Sequence, residues 1–152
     1  MRRATTEDAL AVASVLQQAF AEYEPLYTKQ GYLATTPAEA TIVTRMQEGP
    51  IWVAVHGKQI VGTVSVVRRE EELYVRGMAV LPAARGLGVG RRLLEQVEAF
   101  AAADGREQLA LSTTPFLDRA IRLYESLGFC ATNDGPGDLF GTPLVTMKKK
   151  LT

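Results

Sequence analysis

The octet Arg85-Gly86-Leu87-Gly88-Val89-Gly90-Arg91-Arg92 constrains this chain more than any other stretch. It lies between an apolar run ending at Leu81-Pro82 and a segment, Gly88 to Asp104, in which Gly90, Leu93, Leu94, Val97, Phe100 and Ala101 recur at three- and four-residue steps. That pattern reads as a strand, a tight turn and a helix with one buried face. Glycines at alternate positions let the backbone fold close with no Cβ in the way. The unpaired N–H groups of the helix's first turn then converge on one spot, and the helix dipole makes that spot favourable for an anion. Arg85 and Arg91 add positive charge beside it. In physical terms this is a pyrophosphate cradle.

Two common phosphate-binding patterns do not fit. A P-loop needs a Lys and a hydroxyl residue after its last glycine, and Arg91-Arg92 follows Gly90. A dinucleotide fingerprint needs Gly-x-Gly-x-x-Gly, yet the third glycine is replaced by Arg91 when counted from Gly86 and by Leu93 when counted from Gly88. The strand before the octet is also preceded by other strands, which is not the opening place of a Rossmann unit. The pattern that fits is Arg-x-x-Gly-x-Gly, occupied by Arg85, Gly88 and Gly90.

The rest of the chain supplies the frame. Arg2 to Ala4 reads as a short strand. Thr6 to Tyr23 reads as a helix, with Ala9, Val12, Ala13, Leu16 and Phe20 on one face and Thr5 or Thr6 as cap. Glu24 to Thr36 reads as irregular. Pro37 to Glu48 reads as a second helix capped by Thr36, with Ile42, Val43 and Met46 as its apolar side. Ile51 to His56 and Gln59 to Val67 form a hairpin around Gly57-Lys58, with Gly62 marking a bulge or a close backbone approach. Arg68 to Glu72 is expected as a turn, and Leu73 to Val80 as the next strand. Beyond the Gly88–Asp104 helix come a buried strand, Leu109 to Thr113, and a helix from Phe116 to Leu127. Phe129 to Thr132 and Leu144 to Lys149 are expected as strands. Consecutive strands favour antiparallel pairing, whereas the strand–helix–strand unit from Leu73 to Thr113 favours a parallel crossover.

At 152 residues the chain has the size of one domain, and residues 1–152 are expected to fold as one. Seventeen Lys and Arg balance seventeen Asp and Glu, so the basic excess typical of nucleic-acid binding is missing. A single cysteine, Cys130, and a single histidine, His56, exclude a disulfide framework and any cysteine-rich or multi-histidine metal site. No apolar run reaches the ~18 residues of a membrane span, and no signal-peptide core follows the charged N-terminus. A cytoplasmic location with no membrane and no nucleic-acid partner is the expectation.

With the octet, four further stretches carry a likeness to one family. They are Met78-Ala79-Val80-Leu81-Pro82, the helix from Gly88 to Asp104, Leu109-Ala110-Leu111-Ser112-Thr113, and Ala120-Ile121-Arg122-Leu123-Tyr124-Glu125-Ser126-Leu127-Gly128-Phe129. Together they resemble the GNAT superfamily of N-acetyltransferases, and the order of the remaining elements agrees. The resemblance implies a mixed α/β domain. About seven mostly antiparallel strands, with one splayed parallel pair, would be flanked by about four helices.

It also implies an enzyme that moves an acetyl group directly from acetyl-CoA to a primary amine, with no metal. Main-chain groups of Gly86, Leu87, Gly88, Val89, Gly90 and Arg91, helped by Arg85, would hold the pyrophosphate. The backbone of Met78, Ala79 and Val80 would pair with the pantetheine arm like an added strand. Val80 N–H would polarise the acetyl carbonyl. Tyr124 would serve as the general acid at the sulfur, a phenol being protonated at neutral pH.

The family's asparagine seven residues before that tyrosine is Leu117 here, and Thr113 or Thr114 is the expected substitute. Glu72 is the candidate base, because a period of two puts it on one strand face with Tyr74, Arg76, Met78 and Val80. Arg76 on that face either binds a substrate carboxylate or pairs with a nearby acid. Glu22, Tyr23, Glu24, Tyr27 and Tyr32 fall in the acceptor region. Gly137 to Pro143 belongs either to the acceptor rim or to a homodimer contact. The expected acceptor is a small-molecule or amino-acid-like amine. Acetylation of a protein N-terminus or lysine, and a non-catalytic acyl-CoA-binding module, are the alternatives.

Overall fold

The computed structural model describes residues 1–151. Its frame is a seven-stranded sheet, built from β1 (Arg2–Arg3), β2 (Ile51–His56), β3 (Gln59–Arg69), β4 (Glu72–Val80), β5 (Gln108–Thr113), β6 (Cys130–Thr132) and β9 (Val145–Lys150). The strand order is β1-β2-β3-β4-β5-β9-β6, and only the β4–β5 pair is parallel. A separate two-stranded hairpin joins β7 (Asp138–Leu139) to β8 (Thr142–Pro143). The mixed, mostly antiparallel sheet is as the sequence implied. Among the described residues five α-helices accompany it, one more than expected: α1 (Ala9–Phe20), α2 (Lys29–Thr35), α3 (Glu39–Glu48), α4 (Val89–Ala103) and α5 (Asp118–Ser126). Among the described residues no helix is long and apolar enough to cross a membrane.

The helices pack on both faces of the sheet. α1 buries Ala9, Val12, Val15, Leu16 and Ala19, and α4 buries Leu93, Leu94, Val97 and Ala101. Their stripes follow the helical period that the sequence shows. Gly62 lets α4 approach closely, since a Cβ there would lie 2.8 Å from Val89 Cγ1 and 3.2 Å from Leu93 Cδ1. Trp52 and Phe100 pack edge to face at 5.3 Å under the same helix.

Several boundaries differ from expectation. The segment read as irregular contains α2, started by the Thr28 side chain, which accepts from Gly31 N–H at 3.0 Å. Thr36 ends that helix and does not start the next, and α3 begins at Glu39 with Ala38 before it. The turn expected over Arg68–Glu72 narrows to Glu70-Glu71, because β3 runs to Arg69 and β4 begins at Glu72.

One difference changes the site. Thr63 pairs with Ala79 and Ser65 with Arg76, so the single residue Val64 faces both Gly77 and Met78. This is a β-bulge in β4, and Gly77 takes a left-handed φ of +58° in it. An extra residue flips the alternation. Glu72, Tyr74 and Arg76 therefore face α1 and α3, while Met78 and Val80 face α4 and α5. The expectation that these five residues share one face does not hold, and Glu72, the expected base, lies on the opposite face from Met78 and Val80.

Candidate active site

β4 and β5 pair only from Glu72–Gln108 to Val75–Leu111. Past that point β4 continues to Val80 on β3, and β5 continues to Thr113 on β9. The strands separate because the bulge at Gly77 turns β4 away. The gap opens into a cleft of about 540 Å³. Met78, Ala79, Val80, Arg85, Gly86, Gly88, Val89, Gly90, Arg91, Thr113 and Tyr124 all line it. Leu87 is 68% exposed and does not.

One end of the cleft is made of backbone. Leu81 N–H donates to Val61 O at 2.8 Å. Antiparallel bonding alternates, so Val80 N–H points the other way, into the gap. Gly88 caps α4 with φ +78°, and a Cβ there would meet nothing within 4 Å. Arg92 N–H donates to Gly88 O, which leaves the N–H groups of Val89, Gly90 and Arg91 as the free donors of the first turn. The three glycines do different work. Gly86 and Gly88 adopt left-handed φ in open space, whereas Gly90 permits close packing. A Cβ on Gly90 would lie 2.9 Å from Leu123 Cδ2 and 3.1 Å from Met78 Cε. Arg85 faces the cleft wall with its guanidinium on Glu22, 2.5 Å away, and on Ala19 O. Arg91 donates to Ser126 Oγ at 3.3 Å.

Tyr124 stands over the middle. α5 holds it 7% exposed, its hydroxyl 3.9 Å from Met78 Sδ and its ring 5.9 Å from that of Phe129. Burial pushes its phenol up to about 12. It is therefore protonated through the neutral range, as a proton donor must be. Leu117 precedes α5 without a side-chain cap. Thr114 lies beside it, its buried Oγ1 next to the Tyr27 hydroxyl.

The other end is made of side chains. Phe116 meets Tyr27 edge-on at 4.9 Å and Tyr23 at 6.2 Å. Leu139 and Leu144, on and beside the hairpin, complete the wall. Thr28 fastens this wall, its N–H donating to Thr142 Oγ1 at 2.9 Å and its hydroxyl to Phe140 O at 2.9 Å. The segment from Gly137 to Pro143 thus carries the cleft's rim. Tyr32 and Glu24 do not line the cleft.

Glu72 is outside it as well. Its carboxylate accepts from Gln108 Nε2 at 2.9 Å and pairs with Lys148 at 3.3 Å, on the closed part of the β4–β5 pair. Among the described residues neither a carboxylate nor an imidazole lines the cleft. The residue that sequence reasoning missed is Arg45, which does line it. Its signal was its place three residues after Ile42, which sets both on one face of α3.

The family model for the acetyltransferase (GNAT) family matches residues 13–129. The uncharacterized N-acetyltransferase YjgM of Escherichia coli is 33% identical over 135 residues, covering 85% of this chain and 80% of that protein. Among solved structures, the PaiA N-acetyltransferase of Thermoplasma acidophilum, in complex with coenzyme A, aligns with a TM-score of 0.83. It is 14% identical and covers 99% of this chain and 97% of that one. YncA of Salmonella typhimurium, a putative acetyltransferase solved with acetyl-CoA, aligns at 0.75 with 23% identity over 99% and 92% of the two chains. The chain belongs to the GNAT acetyltransferase family. It is an acyltransferase that takes acetyl-CoA as cosubstrate.

Proposed function

We propose that the chain acetylates a primary amine of a small-molecule or amino-acid-like acceptor by direct transfer, within the cleft between β4 and β5. The observation that carries this reading is the cleft itself. Free helix N–H groups and an inward-facing strand edge line one end, a protonated phenol the middle, and a closed aromatic wall the other end. The free N–H groups at the start of α4 would hold the pyrophosphate, with the gap at Gly86 and Gly88 admitting it. The edge of Met78, Ala79 and Val80 would hold the pantetheine arm. Thr114, with Thr113 beside it, takes the place of the missing asparagine.

Acetyl-CoA supplies the acetyl group as a thioester. The amine nitrogen forms the new C–N bond as the C–S bond breaks. Val80 N–H would donate to the acetyl oxygen as negative charge grows there. The Tyr124 phenol would give its proton to the departing sulfur. The proton lost from nitrogen goes to water, since among the described residues no carboxylate or imidazole lines the cleft. Tyr124 is reprotonated from water, so the net products are an amide and a thiol.

A small acceptor is favoured because α2 and the β7–β8 hairpin close the far end through Thr28 and Thr142. The test is coenzyme A release with a panel of amines, alongside mass spectrometry of proteins incubated with enzyme and acetyl-CoA. Turnover of small amines supports the reading. Modification of protein N-termini or lysines with no small-amine turnover overturns it.

A further inference from the structure

The charges of the cleft are one-sided. Arg45, Arg76, Arg85, Arg91 and Arg119 line it, and among the described residues no Asp or Glu does. Arg85 is neutralised by Glu22, and Arg91 and Arg119 lie in the first turns of α4 and α5. Arg45 and Arg76 lie at the opposite end, on the α3 side of β4. They share one acid: Glu48 pairs with Arg76 at 2.6 Å. Among the described residues no carboxylate lies within 4.0 Å of the Arg45 guanidinium, so one cation there is left over.

The position of that cation is built by the bulge. Arg45 Nη1 would lie 3.1 Å from a Cβ on Gly77, so the missing side chain makes room for the guanidinium. Gly77 neighbours Met78, whose sulfur touches the Tyr124 hydroxyl. The free guanidinium therefore sits beside the strand segment where transfer occurs. It is partly buried, and burial, followed by the repulsion of Arg76, lowers its pKa. Arg76 Nε is itself buried without a partner. Two crowded guanidiniums with unfilled donors are poorly placed unless an anion joins them.

We propose that Arg45, supported by Arg76, receives a carboxylate of the acceptor, so that the acceptor is an amine that also carries a carboxylate, as a free amino acid does. The planar guanidinium fork matches a carboxylate with two parallel hydrogen bonds. The same cations disfavour a second positive charge nearby. They repel polyamines, and they lower the pKa of a bound ammonium and so help to produce the neutral amine that attacks. This deepens the transferase reading and rests on it.

The experiment uses calorimetry on the coenzyme A-saturated protein. Its probes are N-acetyl amino acids and the matched N-acetyl amino acid carboxamides, with acetyl-CoA binding measured alongside. The expected result is at least tenfold tighter binding of the acids across the side chains that bind. In Arg45→Gln that preference should collapse to within about threefold, with coenzyme A affinity retained. Arg45→Lys should keep part of it. Carboxamides that bind as well as the acids, or a preference unchanged in Arg45→Gln, overturn the proposal while leaving the transferase reading intact. Absence of acetyl-CoA binding by the wild type overturns both. If Arg45→Gln does not fold, the acid-to-amide ratio of the wild type still decides.

Discussion

The two ends of the cleft are built by different means. The end proposed for the coenzyme is backbone, formed by the N-terminus of α4, the edge of β4 and the left-handed glycines Gly86 and Gly88. The end proposed for the acceptor is side chain, formed by Tyr27, Leu139, Arg45 and the Thr28–Thr142 fastening, with Phe116 packed on Tyr27. A backbone site admits few substitutions, because it depends on φ angles and missing Cβ atoms. A side-chain site can be rewritten one residue at a time without disturbing the sheet. One end can thus stay fixed on a common donor while the other is free to change acceptor.

The largest test of this contrast is Gly88→Glu. Gly88 has open space around it, so the new carboxylate has room but sits at the anion site with a strained φ. Calorimetry should show acetyl-CoA binding weakened at least about a hundredfold, while cooperative unfolding survives. A folded variant that binds normally would show that the backbone end is not the coenzyme end.

Tyr124→Phe separates chemistry from binding. It should lower kcat by about ten- to a hundredfold, with acetyl-CoA affinity nearly unchanged in the same preparation. An equal loss in both would make Tyr124 a packing residue. Thr142→Val probes the acceptor wall alone. Thr142 is 1% exposed and accepts the Thr28 N–H. Losing that acceptor costs about 1–3 kcal/mol locally, which should appear as a higher acceptor KM and an unaltered coenzyme affinity.

Leu117→Asn restores a capping side chain to α5. It should stabilise by about 0.5–1 kcal/mol in chemical denaturation and tighten acetyl-CoA a few-fold. Stabilisation without tightening would mean that Thr114 already fills the role.

The smallest effect is confined to alkaline pH. The Tyr124 pKa is raised from 10.0 to about 12 in the fold. The unfolded chain therefore releases this proton first as pH rises. The stability linked to it is complete below pH ~10 and is lost as pH climbs through the folded value. Tyr124→Phe should remove that part of the alkaline slope while leaving pH 7 nearly untouched by this linkage.

The same contrast explains what the sequence disclosed. The cradle, the α4 stripe and the Gly62 approach were legible because glycine spacing and helical period act locally. α2 was not, since it is a short helix with a glycine inside, started by Thr28. That residue's position depends on Thr142, 114 residues away. The β7–β8 hairpin has two residues per strand and no period to detect. Glu72 was misjudged because alternation was carried through Gly77, and one bulged residue reverses it. Arg45 lay on an apparently apolar helix face, where its charge only gains meaning once Glu48 is seen to be taken by Arg76.

The place of β9 also bears on how the molecule comes into being. β9 joins β5 to β6 in the sheet although it follows both in the chain. Synthesis proceeds from the N-terminus, so β1 to β5 and α4 emerge before the strand that seals them and before Thr142 reaches Thr28. Local pairings form early and distant ones late. The edge of β4 and the N-terminus of α4 are thus translated before the hairpin. The far wall of the cleft waits for the hairpin at Asp138–Pro143, so the two ends are completed at different stages of synthesis.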